Sequence, residues 1–479
     1  MVQTELNNDN QDKFIMLDGA VITEDGPPIY RQLADHIEAQ IRSGILSPGD
    51  RLPPQRDVAR ELGINLTTVT RAFSLLQKQG LIESRPGRGT LVASASRPPR
   101  EENAFRSAPS DESGLIDLSV NRPATTAYIE ELTSLLPRIS RDPRFKSVQD
   151  YQTSDGPVWA RNAVAQWAAT KMGNDSARHL ILTEGAQHGL SCVLMGVTQP
   201  GDVILADAIT YQGINALARS HGTELRGVAM DRDGMLPDAF EAACLQWHPR
   251  AAFLVPSMQN PTAITIPEQR RRELAAIASR FNVLIIEDDV YGPLVEEDIP
   301  TFASIEPELT IYIGCLSKYI APGLRYGFVR APRTLVGDIA SALRINCWSI
   351  SPLTALIATV MIEDGTVDAI ITRQKEELRA RYQIVQNVLG RFDIQTQPTS
   401  THCWVHLPEP WRAAGFARAA QREGVGVLPA DTFAIGRDPV PHAVRVNIGA
   451  ARSRDDLLKG LTIIANLLEN GHLHLHNAV

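Results

Sequence analysis

The 479-residue chain has room for two or three domains, and its 43% hydrophobic and 21% charged content is ordinary for a globular protein. A net charge of −8 argues against non-specific coating of nucleic acid by the whole molecule. No window approaches the roughly eighteen uninterrupted apolar residues of a membrane span, and residues 1–25 lack the basic-then-apolar pattern of a secretory leader. The cytoplasm is therefore the expected compartment, with no membrane partner. Five scattered cysteines without a CxxC pair read as reduced thiols rather than a disulfide framework or a zinc site.

In chain order, residues 1–25 are expected to be disordered. Ile29, Leu33, Ile37 and Ile41 then recur at helical spacing, and Gly44 ends that helix. A turn at Ser47-Pro48-Gly49-Asp50 precedes a second helix, from near Pro53-Pro54 to Gly63. A third begins around Asn65, a good N-cap, turns Val69, Phe73 and Leu76 inward and stops at Gly80. Two short strands, 81–84 and 90–92, flank the basic tip Arg85-Pro86-Gly87-Arg88-Gly89. Three helices and such a hairpin make a winged helix-turn-helix over residues 26–93. Between Arg51 and Ala93 seven Lys and Arg face three acids, a local excess of +4 suited to phosphate contact.

Residues 94–115, rich in Pro, Ser and charge, read as a linker. As a coil its ends would sit ~25 Å apart, and stretched it could span roughly 70 Å, enough to hand the head to a partner subunit.

From Ile116 onward short apolar strands (179–183, 203–206, 251–255, 283–286, 310–313) alternate with amphipathic helical stretches. This is the α/β signature of a mostly parallel sheet. After about Ser349 a long helix (362–390) and strands at 403–407 and 443–447 suggest a smaller α+β lobe. His472, His474 and His476 alternate near the end of the chain. They could reach one metal from one strand face, but a frayed terminal tail is the preferred reading, and no metal is expected.

The residues that bear chemistry fall at the strand ends, where ligands bind in such sheets. Lys318 follows an apolar strand and precedes Arg325 by seven residues. That suits a Schiff base with pyridoxal phosphate and a guanidinium forked onto its phosphate. Glu184-Gly185-Ala186-Gln187 could hold a phosphate at a helix N-terminus or simply be a tight turn. Tyr211 could stack on a ring or merely pack. Asn260-Pro261 could present a donor to a phenolate, and Asn-Pro is also a common turn. Asp288 could hold a pyridine nitrogen or be a solvated strand end. Arg445 puts a charge inside an apolar strand, which calls for a substrate carboxylate or a structural ion pair.

Taken in sequence, these features resemble the fold type I pyridoxal-phosphate aminotransferases over residues ~116–470. The resemblance implies that Lys318 is the Schiff-base lysine, that Asp288 partners the pyridine nitrogen, and that Asn260 and Tyr291 flank the cofactor 3-hydroxyl. It places Tyr211 on the ring, Gly185, Ala186, Gln187, Ser317 and Arg325 on the phosphate, and Arg445 on the substrate α-carboxylate. Tyr151 would reach the phosphate of the neighbouring subunit's cofactor, so the site implies a homodimer. Cys315 stands where the family usually has Ser or Thr against the phosphate, a weaker donor. The implied lobes are a large one of about 150–345 and a small one of about 346–470 plus 116–149.

Residues 28–93 resemble the GntR-type winged helix, through Pro48-Gly49-Asp50-Arg51-Leu52-Pro53, Gln55-Arg56-Asp57, Thr67-Thr68-Val69 and Gly87-Arg88-Gly89-Thr90. That match implies Arg56, Asn65, Thr67, Thr68 and Arg71 at the major groove or its phosphates, and Arg88 at phosphate or minor groove. The fusion is similar to MocR-type regulators. It implies a regulator that binds a double-stranded DNA operator and senses an amino compound as an external aldimine. The alternative is a working aminotransferase with an accessory DNA-binding head.

Overall fold

The computed structural model describes residues 28–42, 45–47, 49–78, 81–85, 89–92, 114–172, 177–436 and 440–469. The expectations for 1–25, for most of the linker, for Arg88 at the wing tip and for the three terminal histidines lie outside the described residues. The chain forms two compact units, Met1–Arg106 and Ser107–Val479.

In the first unit, helices α1 (Ile29–Arg42), α2 (Gln55–Leu62) and α3 (Leu66–Lys78) precede an antiparallel hairpin of β1 (Ile82–Arg85) and β2 (Gly89–Val92). The apolar stripes close one core from Leu33, Ile37, Val58, Val69, Phe73, Leu76, Ile82 and Val92. Gly63, at φ 64°, ends α2 in a left-handed conformation. Asn65 Oδ1 accepts from the Thr67 N–H at 2.9 Å, the N-cap bond expected of it. The segment expected as a plain turn does more: the Gly49 N–H donates to the Val92 carbonyl and the Leu52 N–H to that of Thr90, each at 2.9 Å. It lines the edge of the wing.

The second unit is built on a seven-stranded sheet. Its strands are β3 (Leu180–Thr183), β4 (Val203–Asp207), β5 (Glu224–Val228), β6 (Ala251–Leu254), β7 (Leu284–Asp288), β8 (Thr310–Cys315) and β9 (Gly327–Arg330). They lie in the order β3-β9-β8-β7-β6-β4-β5, all parallel except β9, which runs antiparallel to both its neighbours. Successive side chains of a strand point to opposite faces. Phe253 and Ile286 accordingly join the core on one face, whereas Leu254 and Ile285 join the core on the other. Both faces are covered, so the strands read as continuous apolar runs.

The long helix expected over 362–390 is α5 (Thr366–Leu389), which begins four residues later than expected because a separate helix, α4 (Pro352–Glu363), ends just before it. Gly365, at φ 79°, separates them. Helix α5 serves two cores: Val367, Ile370, Ile371 and Leu378 pack with the large sheet, and Val385 and Leu389 pack with the smaller lobe. Leu135 and Ile139 also belong to the large core. The smaller lobe has a four-stranded antiparallel sheet of β10 (Ile394–Gln395), β11 (Cys403–His406), β12 (Leu428–Pro429) and β13 (Ala443–Val446), in the order β10-β11-β13-β12. Ile116–Asp117 pairs in parallel with Val425–Gly426 at its side. Among the described residues no helix is long and apolar enough to cross a membrane.

Candidate functional site

The C-terminal ends of β3, β4, β6, β7 and β8 converge on a cleft of about 130 Å³, open to solvent. It is lined by Ala186, Gln187, Tyr211, Asn260, Asp288, Tyr291, Cys315, Ser317, Lys318 and Arg325. Residues from five separate stretches, predicted one strand end at a time, thus meet in one place.

At one end of the cleft the turn after β3 meets the turn before β9. Gly185 stands at φ 81°, and a Cβ there would come within 2.9 Å of the Arg325 guanidinium. Arg325, itself at φ 50°, donates from Nη2 to the Glu184 carbonyl at 2.8 Å. The Glu184 carboxylate accepts from the Ser351 N–H at 2.7 Å, which ties this turn to the start of α4. With the amides of the helix Ala186–Val197 opening here, the turn is a cradle suited to an anion. Ser317 lines the same cleft, and its N–H and hydroxyl bond the Cys315 sulfur. Burial raises the Cys315 pKa and so keeps the thiol neutral.

Along one wall the Tyr211 hydroxyl donates to Gln187 Oε1 at 2.8 Å. Gly213 is required beneath it, because a Cβ there would collide with the Tyr211 ring. Deeper in, Asp288 is buried and its Oδ1 has no partner. Burial pushes its pKa up to about 7, against the pull of the Lys318 charge. An unpaired buried carboxylate is costly unless it finds a donor, so the site is made for a cationic N–H. Burial likewise depresses the Lys318 pKa, which favours the free amine.

Arg445 lies in β13, buried, and does not line the cleft directly. Its Nη1 donates to Asn260 Oδ1 at 2.5 Å and its Nη2 to the Ser119 carbonyl at 2.6 Å, while the guanidinium sits 4.9 Å over the Phe433 ring. Its Nε has no partner, and among the described residues no carboxylate forms an ion pair with it. Burial lowers its pKa to about 10. A cation held only by neutral oxygens leaves a place for an anion. Asn260 Oδ1 is committed to Arg445, which leaves the Asn260 amide nitrogen for the cleft.

Tyr151 is not brought into the cleft of its own chain. It is 90% exposed, with its ring 5.6 Å from that of Trp348.

Three residues of the site escaped the sequence reading. Asn121 donates from Nδ2 to the Tyr291 hydroxyl at 2.6 Å across 170 residues of chain. The His402 ring lies 5.6 Å from that of Tyr291, and its Nε2 donates to the Gln259 carbonyl at 3.0 Å. Burial lowers the His402 pKa to about 3, so the ring is neutral. Gln259 in turn bonds the Ile209 carbonyl and Thr262, fixing the loop that presents Asn260. The only sequence signal for His402 was a polar run, Thr399 to His402, leading into an apolar strand.

In the smaller unit, α3 exposes Thr67, Thr70, Arg71 and Ser74 as one stripe, with Arg56 exposed on α2 and Thr68 half-buried. The Thr70 hydroxyl donates to Gln55 Oε1 at 2.9 Å, which links the two helices beside that stripe. Asn65 is exposed, but its Oδ1 is occupied by Thr67, so only its amide nitrogen is open to a ligand.

Comparison with known proteins gives two family matches: aminotransferase class I and II over residues 113–464, and bacterial regulatory proteins of the gntR family over residues 29–92. An uncharacterised HTH-type transcriptional regulator of Bacillus subtilis, YdeF, is 29% identical over 92% of this chain and 95% of its own. The vitamin B6 salvage pathway transcriptional repressor PtsJ of Salmonella typhimurium is 26% identical over 90% of this chain and 95% of its own. Among solved structures, an α-aminoadipate aminotransferase of Thermus thermophilus matches with a TM-score of 0.69 and 24% identity, covering 76% of this chain and 94% of that one. A kynurenine aminotransferase of Pyrococcus horikoshii matches at 0.70 and 21%, covering 77% and 95%. At these identities the structural likenesses establish the fold alone.

Proposed function

Because the chain belongs to the class I and II aminotransferase family and carries a GntR-type head in the MocR arrangement, we propose that it is a transcriptional regulator whose larger unit senses an amino compound through pyridoxal phosphate. The observation that carries this reading is the orphaned Asp288 carboxylate in a cleft that also holds Lys318, within a chain that begins with a DNA-binding head.

The residues present fit that cofactor. Asp288 Oδ1 lacks a donor, Gly185 leaves space that a Cβ would fill, and Arg325 stands over the phosphate-sized turn. Lys318 would be the covalent anchor, Asp288 would hold the ring N–H, and Tyr211 would cover a ring face. Asn260 and Tyr291 would meet the 3-oxygen, and Gly185, Ala186, Gln187, Ser317 and Arg325 the phosphate, with Cys315 a weak contributor. When bound, pyridoxal phosphate supplies an electrophilic carbon and an electron sink.

The chain's own groups do the remainder. Lys318, whose charged form burial disfavours, would be placed to take a proton at a substrate Cα once released. Asp288 keeps the ring nitrogen protonated. Arg445 receives a carboxylate. An effector that binds two arrangements of the lobes unequally would bias the head by a coupling of ~1–3 kcal/mol. Arg56, Asn65, Thr67, Thr68, Arg71 and Arg88 would contact double-stranded DNA, the first by phosphate and the α3 stripe by the major groove. Tyr151, presented to solvent, supports a homodimer in which it serves the neighbour's phosphate, with the heads exchanged between subunits.

The Arg445 cation, held by neutral oxygens without a carboxylate partner among the described residues, favours a second reading, full transamination. One experiment separates the two. Amino acids and amines are added singly to the cofactor-loaded full chain while the visible band and DNA retention are followed, and then a keto acid is added. A band change with altered retention and no reversal by keto acid supports the sensor. Reversal by keto acid means turnover. No band change with any compound sinks both.

A further inference from the structure

The segment that first emerges from the linker is wired into the cleft. Residues 117–121 are held to the smaller lobe by backbone: the Leu118 N–H donates to the Gly426 carbonyl at 2.9 Å and the Asn447 N–H to the Leu118 carbonyl at 2.7 Å. Asp117 Oδ1 accepts from both the N–H and the hydroxyl of Ser119, at 2.9 and 2.5 Å. With the Asn447 amide oriented to satisfy both its neighbours, its Oδ1 accepts from the Asn121 N–H at 3.0 Å. Two further bonds then leave this strap for the site itself. The Ser119 carbonyl takes Arg445 Nη2, and Asn121 Nδ2 donates to the Tyr291 hydroxyl.

Each bond has a chemical consequence. An amide nitrogen only donates, so the Tyr291 oxygen is the acceptor and its own hydrogen is left to point elsewhere. Tyr291 is buried and lines the cleft, so that hydrogen is available to a ligand there. A phenol that already accepts a bond is also the stronger donor, because bonded chains polarise one another. Arg445, for its part, keeps a second hydrogen on Nη1 and on Nη2 and an unpartnered one on Nε, but either two-pronged grip on a carboxylate runs through Nη2, which the Ser119 carbonyl already holds. The carboxylate must displace the strap or share with it. Asn121 Oδ1, buried without a partner, marks this strap as incompletely satisfied in its present position.

We propose that residues 117–121 read the occupancy of the cleft: Asn121 is a positioning residue that aims the Tyr291 hydroxyl at the cofactor, and the Ser119 carbonyl occupies the arginine that a ligand carboxylate must take. The proposal rests on the reading of the cleft given above. It makes residues 117–121, which follow the linker, a part of the anion subsite, so ligand binding acts on the chain that leads to the head.

The test uses the full-length protein loaded with pyridoxal phosphate. The pH midpoint of the cofactor band is measured in wild type, Asn121→Ala and Asn121→Asp, and amide exchange over 114–122 is followed with propionate as the carboxylate probe. A Tyr291 that donates less to the 3-oxygen stabilises its anion less, so Asn121→Ala raises the midpoint by roughly one pH unit. Asn121→Asp keeps the shape but draws the phenolic hydrogen to itself, and so raises the midpoint at least as far. A merely structural asparagine would show the reverse order, with Asp nearer wild type, and that order overturns the positioning role. Propionate is expected to shift the midpoint and to speed exchange at 116–121. A midpoint shift with unchanged exchange overturns the strap alone. A midpoint indifferent to propionate overturns Arg445 as an anion subsite, and the strap with it.

Discussion

Arg325 and Glu184 are joined by a 2.8 Å bond from Nη2 to the main-chain carbonyl, so the guanidinium that would face a phosphate is fixed to the turn that would cradle it. The two residues lie 141 positions apart, and the contact exists because β9 runs back between β3 and β8.

Gly185→Ala tests that junction. The added Cβ would meet the Arg325 guanidinium at 2.9 Å from a backbone with φ 81°, which side chains rarely adopt. Strain of this kind costs about 1–3 kcal/mol. Affinity for pyridoxal phosphate, titrated by absorbance, should fall at least about tenfold, with the far-ultraviolet circular dichroism unchanged.

Lys318→Ala removes the one lysine among the described residues that line the cleft. The visible band of covalently held cofactor should vanish. The melting temperature of the cofactor-free chain should hold or rise, since an amine that burial already disfavours is removed. Survival of the band would place the anchor elsewhere.

Stability against pH reports Asp288. Folding raises its pKa to about 7, so between the ordinary carboxylate value of about 3.9 and 7 the folded chain holds a proton that the unfolded chain has lost. Its contribution is complete below that lower value and is lost as pH rises through 7, by at most about 4 kcal/mol. Asp207 and Glu287, also buried with raised pKa values, act in the same direction, so the difference between variants is what counts. Melting of the cofactor-free Asp288→Asn variant should decline less steeply from pH 4 to 7 than that of wild type. Equal slopes would mean that Asp288 is ionised throughout.

Arg71→Ala tests the head. Arg71 is exposed on the α3 stripe, clear of the core formed by Val69, Phe73 and Leu76. DNA affinity should drop by about 1–3 kcal/mol, and the slope of log affinity against log salt should shrink by about one if the contact is to phosphate. The cofactor band should not move.

What the sequence disclosed was local. Lys318 and Arg325 sit at a fixed interval on one loop, and Asp288 and Tyr291 at and just past the end of one strand, so adjacency in the chain stood in for adjacency in space. Asn121 and Tyr291 share no such interval, and no periodicity joins a strap to a strand end so far away. The break at Gly365 was legible, as Asp-Gly is a turn signal, but the helical pattern on both sides hid it. The sharing of α5 between two cores was not legible, because an apolar stripe announces that a face is buried and not what covers it. Asp288 in turn lies inside β7, one pair further along than the apolar run suggested, held in register with Ile313 of β8.

The cradle and the selector are drawn from different parts of this chain. Apart from Tyr151, the groups assigned to hold the cofactor stand at the strand ends of the large sheet, whereas Arg445 and the strap belong to the smaller lobe. Selection could therefore retune which molecule is perceived by editing β13 and residues 117–121, leaving the lysine anchor and the phosphate cradle in place. Paralogues that diverge in the signal they answer should then differ chiefly in those two places.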